Sequence, residues 1–269
     1  MNLTILAATK EQLAEALRMS EIDRIILEST LSEAEEWEAL SESVRRARKS
    51  VYLALPAVFR ASAVKYFTAR EELLKRGIFD GFLLRNTEGL LFLKEHGIAG
   101  RMIADHGVYA WNRESESVLS DFGFDEFTAP VELKGSELSE IGLSNAEVLV
   151  YGFLPMMVSA NCLQNTVSGC DRKGNTVVLK DRQGRLMNVR KECRYCYNVI
   201  LNSVPLCLFD RLNRIRSLNP AGIRLLFTTE SGEKTREVLS LFRQALSDPS
   251  GSYTSDSPFT RGGFERGTE

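Results

Sequence analysis

The chain has 269 residues, 43% of them hydrophobic and 26% charged, and a net charge of −2. That balance excludes a disordered or collagen-like chain and leaves enough apolar material for a sizeable core, in one large domain or two small ones. Its longest apolar runs, such as 147–158, fall short of the ~20 residues that cross a bilayer, and Met-Asn-Leu-Thr-Ile-Leu at the start has no basic leader, so a cytosolic protein is the default expectation.

In chain order, Leu3–Ala7 and Arg24–Glu28 read as strands around a helix at Glu11–Met19. A helix over Glu33–Arg48 leads to a third strand, Val51–Leu55, and a helix over Ala63–Arg76, stopped by Gly77, leads to a fourth, Phe82–Arg85. Strands at Arg101–Asp105, Glu126–Ala129 and Glu147–Val150 follow, with helical pieces at Ser115–Phe122 and Ser136–Glu140. Pro205–Phe209 and Ile223–Thr228 resume the strand pattern before a helix at Thr235–Leu246. Strands that are apolar on both faces and alternate with helices imply a parallel sheet. Seven before position 162 and two after it suit an eight-stranded TIM-like (β/α) barrel, complete or incomplete, over residues 1–246. An open doubly wound sheet is the alternative, but no Gly-rich phosphate loop follows an early strand. Residues 247–269, rich in Ser, Gly, Asp and Pro, read as a flexible tail.

The segment 159–200 interrupts this rhythm. All five cysteines lie between Cys162 and Cys207, four of them as Cys162-x7-Cys170, a 22-residue gap and Cys193-x2-Cys196. Thr176–Lys180 and Arg185–Val189 flank Asp181-Arg182-Gln183-Gly184, a tight hairpin turn that brings the two pairs together near the C-terminal mouth of the barrel. Four thiolates are what a structural zinc or an iron–sulfur cluster takes as ligands, whereas Cys207, in Pro-Leu-Cys-Leu-Phe, reads as core. Between Asp171 and Arg194 there are eight basic residues against three acidic ones, a surplus that could meet phosphates or could be the solvated edge of a hairpin.

His106, in Ile-Ala-Asp-His-Gly, follows a strand and falls at the catalytic rim of a barrel, while His96 reads as a helix C-terminus. Asp105, His106 and Glu132 are the candidate catalytic residues, and Glu28, Arg85, Asn112, Arg182 and Arg194 the candidate substrate-binding ones. For each residue alone, a rim salt bridge or a helix cap is the plainer explanation. No Ser-His-Asp arrangement and no His-Glu-x-x-His helix can be assembled, and Gly251-Ser252 has no strand before it.

Ala-Asp-His-Gly-Val-Tyr-Ala-Trp-Asn (104–112), Ala-Pro-Val-Glu-Leu (129–133) and Val-Tyr-Gly-Phe-Leu-Pro-Met-Met-Val-Ser-Ala-Asn-Cys (150–162) together resemble the collagenase-like peptidase family U32. So do Leu-Lys-Asp-Arg-Gln-Gly-Arg (179–185), Glu-Cys-Arg-Tyr-Cys-Tyr-Asn-Val-Ile-Leu-Asn-Ser-Val-Pro-Leu (192–206) and the ending Phe-Thr-Arg-Gly-Gly-Phe-Glu-Arg-Gly (259–267). The resemblance implies a modified (β/α) barrel and a peptidase name without an agreed catalytic type. It also implies kinship with oxygen-independent hydroxylation factors for RNA or ubiquinone precursors. Those relatives carry a four-iron four-sulfur cluster on four cysteines, which would here be Cys162, Cys170, Cys193 and Cys196, with zinc as the alternative metal. Two departures stand out: Pro155 occupies the place of a usual cysteine, and Gly263 that of a frequent histidine. The chain reads as the second barrel of a longer protein, with RNA or a partner barrel as expected partners. Three functions follow as expectations: an iron–sulfur factor for hydroxylation of RNA or a small aromatic molecule, a metal-assisted protease, and a non-catalytic barrel with structural zinc.

Overall fold

The computed structural model describes residues 1–170, 172, 176–248 and 258–267. Asp171 and Lys173 of the basic segment and Gly251-Ser252 of the tail lie outside them. Eight parallel strands form the barrel: β1 (Asn2–Ala7), β2 (Arg24–Glu28), β3 (Ser50–Ala54), β4 (Gly81–Leu84), β5 (Arg101–Ala104), β6 (Glu126–Thr128), β7 (Ala146–Gly152) and, late in the chain, β13 (Gly222–Leu226). Their order is β7-β13-β1-β2-β3-β4-β5-β6, and β6 pairs with β7, so the ring closes and the barrel is complete. The seven early strands fall where the apolar runs put them. Each is buried almost throughout, because helices cover the outside while staves on the far side fill the inside.

Between β7 and β13 come β8 (Pro155–Ser159), β9 (Thr176–Lys180), β10 (Leu186–Glu192), β11 (Tyr197–Leu201) and β12 (Leu206–Cys207). The first four make a separate antiparallel sheet, ordered β8-β11-β10-β9, so the expected hairpin is the far half of a larger insert. Pro205–Phe209 is not a stave. Only Leu206–Cys207 is extended, and it runs antiparallel along the end of β7, beyond the part that short β6 covers. Cys207 is buried, as expected.

Helices begin where sequence chemistry supplies caps. Thr9 and Gln12 form a capping box at Lys10–Leu17, and Gln12 also donates to the carbonyl of Glu230 (2.8 Å), tying the first loop to the last. The expected Ala63–Arg76 helix is two, Ala61–Thr68 and Glu71–Lys75, separated where Arg70 lies over the Tyr66 ring, 3.7 Å from its centre. His96 caps the C-terminus of Thr87–Glu95 and contacts Glu71. Residues 258–267 are not a loose tail: Phe264 is buried, Thr260 bridges Leu206, and Gly135 donates to the Phe264 carbonyl at 3.0 Å. No described helix is long and apolar enough to cross a membrane.

Candidate functional site

A chain of buried, alternating charges runs up the inside of the barrel. At its base, Arg24, the first residue of β2, pairs with Glu126 (2.6 Å), the first of β6, four staves away and therefore across the interior. Arg24 also reaches Glu147 (3.2 Å), which faces Arg224 (3.3 Å), which faces Asp105 (3.3 Å) just past the end of β5. Arg85, just past β4, then joins Asp105 (3.2 Å) to Glu28 (2.9 Å) at the end of β2. From the insert, Arg190 reaches down to Glu28 (3.4 Å) and also holds Glu192. Buried charges persist only when paired in this way.

These pairs set the ionisation of the mouth. Burial alone would raise the Asp105 carboxyl, yet His106, Arg224 and Arg85 together hold it well below the usual carboxylate range. Burial likewise opposes the Glu28 charge, and Arg85 and Arg190 overcome it, lowering its pKa. Both carboxylates are thus charged at neutral pH. His106 turns Nδ1 to Asp105 (3.0 Å), while Asp105 also caps the short turn His106–Val108 by accepting from the His106 amide.

The insert sheet arches over this floor. Tyr197 Oη accepts from the Ala57 amide (3.1 Å), Tyr195 Oη meets Ser29 Oγ (3.1 Å), and Arg194 donates to the carbonyls of Ser29 and Ser32 and pairs with Glu33. Arg194 therefore pins the insert to the loop after β2. Beneath the arch is a cavity of about 50 Å³ lined by Arg85, Asp105, His106 and Tyr197. On one side it shares Arg190 and Thr228 with an open cleft of about 460 Å³; on the other it shares His106, Pro155 and Val158 with a groove of about 550 Å³.

Of the expected site residues, Glu28, Arg85, Asp105 and His106 meet at the mouth, and Glu132 lines the groove next to His106. Asn112 is the N-cap of Arg113–Phe122, accepting from Ser115. Arg182 is in the β9–β10 turn, at the end of the insert sheet away from the cysteines. Arg190, Arg224, Glu147 and Tyr197 were not anticipated. The signal for Arg224 was a charge inside Gly-Ile-Arg-Leu-Leu, which a buried strand tolerates only with a partner.

The register of the insert brings all four candidate ligands to one end of its sheet. Ser159 pairs with Asn198 and Arg190 with Thr176, so the end of β8, the start of β9, the end of β10 and the start of β11 lie together. Cys162, Cys170, Cys193 and Cys196 follow or precede those ends, none in a disulfide. The donors are right in kind for iron or zinc. They do not close around a common centre: among the described residues, no three of His, Cys, Asp or Glu stand where they could hold one metal ion.

The profile of "Peptidase family U32" matches residues 24–257. Among solved structures, the chain is similar to the U32 peptidase Mk0906, with a TM-score of 0.51 at 12% identity over 86% of this chain and 94% of that one. It is similar as well to a structure described as native KDPGal, with a TM-score of 0.51 at 11% identity over 92% and 95%. At such identities the likeness concerns the fold. No curated protein matches the sequence.

Proposed function

Because the chain belongs to peptidase family U32, we propose that it is one of the family's hydroxylation-type members, acting at the mouth of its barrel on a phosphate-bearing substrate, an RNA. The observation that carries this reading is the composition of the 460 Å³ cleft. Arg172, Arg190, Lys191 and Arg194 line it against Glu33 and Glu192, and Cys193 stands among them. A cationic cleft at the C-terminal mouth attracts a polyanion and orients it by its phosphates. Arg190 and Arg194 are already anchored to carboxylates, which fixes the cationic wall in place.

Cys162, Cys170, Cys193 and Cys196, which share one end of the insert sheet, would have to draw together to hold an iron–sulfur cluster, and such a group would supply one-electron chemistry. At the barrel mouth Asp105 and Glu28 stay ionised, and Pro155 and Val158 of β8 with Tyr197, Val199 and Leu201 of β11 line the small cavity above Asp105. The peptidase reading finds less support. His106 Nδ1 is held by Asp105, and among the described residues no side-chain hydroxyl or thiol is hydrogen-bonded to the ring as a nucleophile for it to activate.

Anaerobic purification followed by iron, sulfide and zinc analysis tests the cofactor half. About four irons with matching sulfide is the expected result, and one zinc per chain without colour overturns it. For the substrate half, RNA affinity should fall linearly with the logarithm of salt concentration, and Arg172→Ala should lessen the slope by about one unit. An affinity indifferent to salt would sink the RNA assignment.

A further inference from the structure

Alone among the described helices that cover the barrel, Arg113–Phe122 buries no side chain fully. Leu119 packs partly buried against the core, while Val118 and Phe122, one turn apart, are 53% and 51% exposed. The neighbouring helix Thr87–Glu95 is tied to this one by Lys94, whose ammonium donates to the Phe122 carbonyl. Leu91, 48% exposed, lies one turn before Lys94 and extends the apolar face. The exposed charges of the two helices are Glu88, Glu95, Glu114 and Asp121 against Lys94 and Arg113, and Arg113 is turned to the Ile141 carbonyl (3.0 Å). An apolar patch with an acidic rim is matched by a surface that is apolar and basic.

The β9–β10 hairpin carries such a surface. Lys180 pairs with Leu186 and Val178 with Asn188, so Val178, Lys180 and Leu186 share one face of the hairpin. Asn188 donates to Thr229 Oγ1 (3.3 Å), and beyond that bond Val178 and Leu186 are 57% and 58% exposed. Arg182 and Arg185 add charge in the turn, where Asp181 is occupied in accepting from the Gln183 and Arg185 amides (both 2.8 Å). None of these residues lines the cationic cleft.

The two surfaces cannot meet within one molecule. Thr229 follows β13, and Thr176 of the hairpin lies beside Ala8 and Thr9, which follow β1. The acidic helices follow β4 and β5, four staves away around the ring and so on the opposite side of the barrel.

We propose that the hairpin face of one copy of this chain docks on the Leu91, Val118 and Phe122 face of a second copy. Val178 and Leu186 cover the apolar trio, and Lys180, Arg182 and Arg185 meet Glu88, Glu95, Glu114 and Asp121. Because the two faces lie on opposite sides of the molecule, the contact is head-to-tail: each copy offers a hairpin to one neighbour and a helix pair to another, and the assembly grows past a dimer into a ring or a row.

Sedimentation velocity of the full chain between about 5 and about 200 µM measures this, a range suited to a small, transient interface. The weight-average mass should rise with concentration beyond twice that of one chain and fall when salt is raised from about 50 to about 500 mM. Phe122→Asp disables the helix face and Leu186→Asp the hairpin face; both sites are more than half exposed, and circular dichroism should stay that of the parent. Each variant alone should associate about tenfold or more weaker than the parent. Mixed in equal amounts, the two should form a 1:1 dimer and nothing larger, since one intact hairpin then meets one intact helix face. A parent that remains monomeric overturns the assignment, whatever other basic protein it captures. So does undiminished association of either variant, or a mixture of the two that fails to pair.

Discussion

Replacing Arg85 with methionine takes away a guanidinium shared by two buried carboxylates. Arg85 donates to both oxygens of Glu28 (3.1 and 2.9 Å), to Asp105 (3.2 Å) and to the Leu55 carbonyl (3.3 Å). Glu28 and Asp105 are each no more than 5% exposed, so neither can recruit water in its place. Breaking a buried pair by removing one partner costs ~3–5 kcal/mol. Glu28 keeps Arg190 and Asp105 keeps Arg224 and His106, which puts this case at the low end, about 3 kcal/mol. For a barrel of this size that is a fall in Tm of roughly 6–10 °C. The sign of the pH dependence follows from the two carboxyls. Both have lowered pKa values in the folded protein, so their contribution is complete above about pH 4, the unfolded range, and fades as pH falls through the lower folded values. The stability gap between parent and Arg85→Met should therefore be widest near neutrality and shrink on acidification. Chemical denaturation of both proteins from pH 7 down to pH 3 measures it. A gap under about 1 kcal/mol at pH 7, or one that does not change with pH, would refute the reasoning.

Gly263→Ala should destabilise by about 1–3 kcal/mol, because the methyl group meets backbone that has nowhere to move, and should expose residues 258–267 to limited proteolysis. Gly107→Ala, whose methyl would meet nothing within 4 Å, is the matched control and should lie within about 0.5 kcal/mol of the parent. Tyr195→Phe removes the bond to Ser29 and should cost about 1 kcal/mol in denaturation, loosening the insert where it meets the loop after β2. Burial raises the phenol pKa of Tyr195 and Tyr197, so the stability they lend is complete below about pH 10 and is lost as pH rises beyond it. In an alkaline absorbance titration these two should ionise only with unfolding, and reversible ionisation of all seven tyrosines before unfolding would contradict that burial.

Much of the architecture could be read from local patterns. Strands such as Arg24–Glu28 and Val51–Leu55 are apolar on both faces, and only a parallel sheet buried on both sides uses that composition. Cys162, Cys170, Cys193 and Cys196 announced a distinct insert, and Asp105 and His106 lie at a stave's end, where side chains meet across the mouth. Tertiary structure decided the rest, for reasons no local pattern contains. The pairings of Arg24 with Glu126 and of Arg224 with Asp105 join staves far apart in sequence, so the charged interior exists only once the ring has closed. Pro205–Phe209 has the composition of a stave, yet β13 takes one flank of β7 and β6 closes the ring on the other, leaving only a two-residue antiparallel edge at the far end of β7. The four thiols share one end of the insert sheet because of its strand register, and whether they close on a metal is set by that geometry, not by their spacing along the chain. Gly263 is required only because a remote segment folds back against Glu132, a contact the composition of a polar, glycine-rich ending could not foretell.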